Sequence, residues 1–178
     1  MTRLPPGREM DERTAGVWSA LSTGIYILTT RAAGSGHGMS ASWVTQASAN
    51  PPLLIAAVGQ GTYSHRWLVE QRWFGLNVVG QRSKSLQDYF HSASAKRVNN
   101  LDRVDWFWSP AGVPWLLAAL LCLECKVVDS FAVGDRTAFV ATVTAARWGA
   151  VDRPLTSLDL PYAYVGEIHP NMWYQRSG

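Results

Sequence analysis

Apolar positions come in short blocks along the chain, and few blocks are long enough to be long helices. Gly24–Thr30, Leu53–Val58 and Trp73–Val79 are stretches of six or seven residues in which β-branched, aliphatic and aromatic side chains dominate. Such runs predict buried strands. Asp11–Leu21 reads as a helix with Asp11 as N-cap and Gly24 as its stop. Thr62–Gln71 reads as a helix with Trp67 and Leu68 on one face, and Ser83–Phe90 as a short one. Ala32–Gly38 reads as a turn, Met39–Ser48 as a polar extended stretch ended by Pro51-Pro52, and the stretch up to Asn100 as a loop. Leu117–Phe131 and Thr137–Trp148 predict two long strands joined at Gly134-Asp135, where glycine at the first central position suits a two-residue hairpin. Pro154, Pro161 and Pro170 punctuate a loop-rich tail with a short strand near Tyr162–Val165. Strands outnumber helices and no strand–long helix–strand rhythm appears. The pattern predicts one mainly β domain over residues 1–178, an antiparallel barrel with a few covering helices.

Composition agrees with a folded chain. Of 178 residues, 47% are hydrophobic and 16% charged, which excludes disorder. The longest strongly apolar run, Trp115–Leu123, has nine residues, against the roughly 20 of a membrane span, so no membrane association is expected. Arg3, Arg8, Glu9, Asp11, Glu12 and Arg13 leave no apolar signal-peptide core at the start. With two cysteines, a cytoplasmic protein independent of disulfides is expected. The net charge is +3 without a basic stripe, so nucleic acid is not an expected partner. Nine tryptophans are spread along the whole chain. That spread points to packing in a core and an interface, hence to a homodimer.

Cys122 and Cys125 form a C-x-x-C, but within a strand the two side chains point to opposite faces, and no second pair completes a zinc site. The four histidines show no metal-ligand spacing, so no metal is expected. The informative stretch is Gly38–Pro52. Ser40, Ser42, Thr45, Gln46 and Ser48 stand around small Ala41 and Ala47, interrupted by Trp43 and Val44. Small side chains admit a flat ring to the backbone while hydroxyls and an amide supply donors and acceptors. The same stretch also suits a polar edge strand. Downstream, Thr62, Tyr63, Ser64 and His65 open a helix, where backbone N–H groups and the dipole favour a phosphate. An ordinary N-cap explains them equally.

Gly38-Met39 with Ser40–Ser42, Pro51-Pro52, His65, Phe74-x-x-Asn77-Val78 and Gly134-Asp135 together resemble the flavin reductase-like, FMN-binding split-barrel family. The resemblance runs over about residues 14–167 and is close to the flavoredoxin-like members. It implies a homodimeric split β-barrel flavoprotein with FMN, or FAD, near the subunit interface. It also implies electrons from NAD(P)H, passed on to free flavin, a monooxygenase or another acceptor protein. By the same resemblance Ser40, Ala41, Ser42, Trp43, Val44, Thr45, Gln46 and Ser48 line the isoalloxazine and ribityl chain, and Thr62, Tyr63, Ser64 and His65 hold the phosphate. An electron-transfer module, or a binding protein for haem or another flat ligand, would use the same barrel. Two positions depart from the family pattern. Gly59 stands where asparagine is frequent, and Arg136 where histidine follows Gly-Asp and lies near the nicotinamide. Arg136 is the candidate catalytic residue. Its permanent charge at a pocket mouth would repel an oxidised nicotinamide or attract a phosphate; a solvent-facing turn arginine is the alternative.

Overall fold

The computed structural model describes residues 11–174. The first ten residues, which carry Arg3, Arg8 and Glu9 of the charged N-terminal stretch, lie outside them. Residues 25–155 form one compact unit, and residues 11–24 with 156–174 form another.

The larger unit is built on a seven-stranded antiparallel sheet in the order β2-β1-β5-β8-β9-β4-β3. Its strands are β1 (Tyr26–Ala32), β2 (Ser35–Ala41), β3 (Val44–Ala49), β4 (Pro52–Gly59), β5 (Trp73–Val78), β8 (Leu121–Val133) and β9 (Arg136–Trp148). A short hairpin, β6 (Trp106–Trp108) with β7 (Pro114–Leu116), and two helices, α2 (Tyr63–Gln71) and α3 (Lys84–His91), complete it. The edge strands β2 and β3 are consecutive in the chain, with only Ser42 and Trp43 between them. Three residue steps reach at most about 10 Å, so the sheet curls until its two edges meet at this corner.

Alternation drives each strand to bury one face. In β4 Leu54, Ala56 and Val58 are buried while their neighbours are not. They join Leu28, Phe74, Leu76, Cys125, Val127, Phe139 and Ala141 in one core cluster, to which α2 contributes Leu68. Cys122 lies on the opposite face of β8, its thiol 3.4 Å from the Leu116 carbonyl oxygen. Both cysteines are free and buried, as the strand argument requires, and burial pushes the Cys125 thiol up to about 12.

The stretch expected to be a turn, 32–38, is mostly strand. Only Ala33 and Gly34 turn, with φ of +48° and +80°, and β2 begins at Ser35. Gly36 and Gly38 are strand residues because a second layer presses on them. A Cβ at Gly36 would lie 2.5 Å from Leu101 Cδ1, and one at Gly38 2.6 Å from Phe90 Cε1. The first long strand begins at Leu121 rather than Leu117, because the chain turns at 116–120 with Ala119 N–H donating to Leu116 O. The hairpin at Gly134-Asp135 forms as expected, with Gly134 at φ +57°.

The β6–β7 hairpin, absent from the sequence reading, is fastened to the sheet by buried polar groups. Asn77 Nδ2 donates to Ile27 O (3.0 Å), and its Oδ1 accepts from Leu116 N–H (2.8 Å). Thr29 Oγ1 donates to Pro114 O at 2.5 Å. The buried Glu124 carboxylate accepts from Ser109 Oγ (2.6 Å), Ala111 N–H (2.5 Å) and Thr144 Oγ1 (2.7 Å). Among the nine tryptophans the core holds one, Trp115; Trp148 is 74% exposed.

In the smaller unit α1 (Glu12–Trp18) is capped by Asp11, whose Oδ1 accepts from Thr14 N–H at 2.7 Å. The helix stops three residues before Leu21, where Ala20 N–H donates to Val17 O in a tighter turn. A hairpin, β10 (Tyr162–Tyr164) with β11 (Ile168–Pro170), occupies the tail.

Burial pushes the Glu124 carboxyl up, but its hydrogen bonds from Ser109, Ala111 and Thr144 outweigh this and hold it below its ordinary value of 4.5. A lowered carboxyl contributes stability that is complete above the unfolded value and is lost as pH falls through the folded one. Glu124→Gln is therefore expected to cost about 1.5–3 kcal/mol at neutral pH and progressively less in acid. Equal costs at neutral pH and well below 4.5, measured by urea unfolding, would contradict this.

Candidate functional site

Three segments meet at the corner where the sheet curls. The first is the Ser42-Trp43 bend, held by Val44 N–H to Ser42 O (3.0 Å) and Ala57 N–H to Trp43 O (2.9 Å). The second is the end of β4 with the Gln60–Thr62 loop leading into α2. The third is the start of β9, because Gly59 pairs with Arg136. Gln60 locks the second segment to the third: its N–H donates to Asp135 O (3.1 Å) and its Nε2 to Arg136 O (3.1 Å).

The head of α2 suits an anion. Thr62 occupies the N-cap position, but its hydroxyl donates back to Gly59 O at 2.9 Å, so no side chain caps the first turn. No acidic residue stands there. Ser64 is fully buried, and its hydroxyl has no hydrogen-bond partner among the described residues. Buried hydroxyls are ordinarily partnered; Thr30 Oγ1 is a second one without a partner among the described residues. At Gly61 a Cβ would meet nothing within 4 Å, and Gly59 is nearly as open. An uncapped helix start, an orphan hydroxyl and open backbone fit the phosphate end of a mononucleotide.

The other residues singled out from the sequence divide by position. Tyr63 is half-buried, its ring edge-on to His37 (4.7 Å) with the Arg66 guanidinium 4.3 Å from its centre. Burial lowers the His37 pKa, despite its bond to Val98 O. His65 turns toward β9, with Nε2 2.8 Å from Thr137 Oγ1 and its ring against Phe139. That nitrogen secures α2 to the sheet. Ser40 donates to Gln87 Oε1 (2.7 Å) and so ties β2 to α3. Ala41 and Val44 pack against the core cluster, so a larger side chain at Ala41 would meet the core before it met a ligand. Thr45 and Gln46 are exposed on the edge strand. Ser48 follows a bulge and pairs with Leu53, about 20 Å along β4 from Gly59. Ser42, Trp43, Thr62, Tyr63 and Ser64 are therefore at the corner, and Gln46 and Ser48 are not.

Arg136 is not a solvent-facing turn residue. It is 8% exposed, and its guanidinium lies 3.9 Å from the centre of the Trp43 ring. Its Nε is 3.7 Å from the Asp135 carboxylate, whose side chain is 83% exposed. The Trp43–Arg136 stack joins positions 93 apart, and no local signal announces it. Asn77, part of the family-like string, is structural: it holds the β6–β7 hairpin.

Comparison with known proteins gives the family. A family model described as the flavin reductase like domain matches residues 18–168. An NADH-dependent FAD reductase of Streptomyces globisporus is 29% identical over 144 residues, 79% of this chain and 79% of that protein. An NADPH-flavin oxidoreductase of Streptomyces viridifaciens is 30% identical over 147 residues, 81% of this chain and 75% of that protein. The styrene monooxygenase flavin reductase of Pseudomonas putida S12 superposes with a TM-score of 0.68 at 26% identity, covering 88% of this chain and 95% of that one. The chain belongs to the flavin reductase like domain family.

Proposed function

We propose that the chain is an NAD(P)H-dependent flavin reductase, the reductase component of a two-component monooxygenase, built as a homodimer of split β-barrels with FMN as its flavin. The observation that carries the flavin reading is the uncapped, hydroxyl-lined head of α2 beside the Ser42-Trp43 bend. The relatives' coenzymes support the donor, and the styrene monooxygenase reductase supports the monooxygenase partner. The chemistry supplied by a bound flavin is acceptance at N5 of the hydride from nicotinamide C4. The protein's part is to bind and orient. Ser64 and the first turn of α2 hold the phosphate, and Gly59 and Gly61 let it approach the backbone. Trp43 and Arg136 border the ring. No acid–base pair is needed, since hydride transfer moves no separate proton.

Gly61→Leu tests the site with little risk to the fold, because the new side chain enters open space. It is expected to weaken FMN binding at least tenfold by fluorescence titration while leaving the melting temperature unchanged. Unchanged affinity would place the phosphate elsewhere. The same titration with FAD separates the two flavins.

The homodimer rests on exposed apolar surface. Val128, Phe131 and Val133 on β8 and Trp148 on β9 stand exposed, and the pairing of β5 with β8 ends at Lys126. An unpaired edge carrying large apolar side chains is covered in most native proteins. Light scattering at micromolar concentration is expected to give twice the chain mass; a monomer mass would refute this.

Arg136 bears on the donor. A fixed positive charge disfavours the cationic nicotinamide that hydride transfer leaves behind, so reduction by NADH is expected to be slow and Arg136→His to speed it. Equal stopped-flow rates for the two proteins would remove the charge from the nicotinamide step.

A further inference from the structure

We infer that the cleft between the start of β5 and the β6–β7 loop is a second ligand site, which takes a small aromatic carboxylate against Arg31 and Trp73. This site is separate from the flavin corner and stands whether or not flavin binds there.

The cleft has a volume of about 400 Å³ and is lined by Arg31, Gln71, Trp73, Ala111, Gly112 and Val113. Small-molecule sites span about 300–1,000 Å³. It lies far from the Ser42-Trp43 bend. Tyr26 pairs with Ala41 beside the bend, whereas Arg31 stands about 17 Å further along β1. Gln71 ends α2, about 12 Å along the helix from the first turn at the corner.

The wall of the cleft is fixed by the protein itself. Gly112 N–H donates to Ser109 O (2.9 Å) and Val113 N–H to Ser109 Oγ (3.1 Å), so the loop is folded on itself. Ala111 N–H pins it to the sheet through the Glu124 carboxylate (2.5 Å). Arg31 is seated on this loop: its Nε donates to Gly112 O at 3.2 Å, and its guanidinium lies 5.8 Å from the centre of the Trp108 ring. Gly112 has φ +76°, and a Cβ there would collide with Arg31 Nη2. Glycine at this position therefore serves both the turn and the close approach of the guanidinium.

Of the Arg31 donors, only Nε has a partner among the described residues, and no carboxylate among them forms an ion pair with it. Glu124, held against the same loop, spends its oxygens on Ser109, Ala111 and Thr144. The seated guanidinium keeps its Nη1–Nη2 fork, whose spacing matches the two oxygens of a carboxylate. Lys126 stands opposite Trp73 in the β5–β8 pairing, its Nζ 5.8 Å from the centre of that ring, and adds positive charge on this side. Charge alone would suit any small anion. The indole of Trp73 and the aliphatic side chains of Ala111 and Val113 instead offer apolar wall, which a flat ring covers and a bare inorganic anion leaves wet.

Benzoate is the probe, titrated calorimetrically into the whole protein without flavin. Saturable binding is expected, with benzyl alcohol, which keeps the ring and lacks the charge, and inorganic phosphate, which lacks the ring, each about tenfold weaker. Arg31→Gln, a change at an exposed side chain, is expected to weaken benzoate about tenfold and to leave FMN affinity unchanged. Absence of saturable binding, either control binding as tightly as benzoate, or unchanged benzoate affinity in Arg31→Gln overturns the inference. Displacement of benzoate by FMN also overturns it, because benzoate would then occupy the flavin corner. Failure of the wild-type protein to bind FMN overturns the flavin reading and leaves this site standing. If Arg31→Gln does not fold, Gln71→Glu decides: a carboxylate on the cleft wall is expected to weaken benzoate about tenfold, and unchanged affinity overturns the inference.

Discussion

Two residues carry the chain from one edge of a seven-stranded sheet to the other, and the rest of the larger unit follows from that step. Because Ser42 and Trp43 must bridge β2 and β3, the sheet cannot stay open at that corner. A curled sheet has an interior that α2 fills with Leu68. Once α2 is seated there, with Tyr63 against His37 of β2 and His65 against Thr137 of β9, its first turn is delivered to the same corner. The helix start is thus placed by packing, and its availability to an anion is a by-product of the closure.

The outer face of the sheet follows a different rule. There the layer formed by β6–β7 is held by an amide, two hydroxyls and a carboxylate rather than by aliphatic contact alone. Buried polar groups fully satisfied by directional partners specify one arrangement, where aliphatic packing tolerates several. That matters for a hairpin containing Trp106, Phe107 and Trp108, whose large side chains would otherwise slide. Asn77, Thr29 and Glu124 under the hairpin are paired, whereas the hydroxyl at the head of α2, like the Trp115 indole N–H of β7, finds no partner among the described residues.

Strands such as β4 and β5 were legible in the sequence because alternation or an apolar run decides them, and glycine decides the turn at Gly134. The glycines of β2 misled for a physical reason. Gly36 and Gly38 are small to admit Leu101, Pro114 and Phe90 from another layer, and local pattern does not register a tertiary clash. The β6–β7 hairpin escaped because its strands have three residues each, too few to show a period. The meeting of the bend with the helix start was legible only in part. Residues at the bend and the helix start were singled out from chemistry and from resemblance, but a polar stretch does not reveal that the chain bends at Ser42-Trp43 and that Ser48 lies far along the strand from that bend.

Arg136 shows why such a corner need not be optimal for stability. Taking a guanidinium out of water is costly, and a screened surface carboxylate returns little of that cost. The charge is nonetheless braced by an indole and by a strand register that would serve any residue equally well. A permanent charge stacked on an indole at the junction of three segments is the kind of group that acts on a ligand carrying charge of its own. The aliphatic core reaches this corner through Ala41 and Val44, one on each side of the bend, so the charge sits against packing that fixes its place.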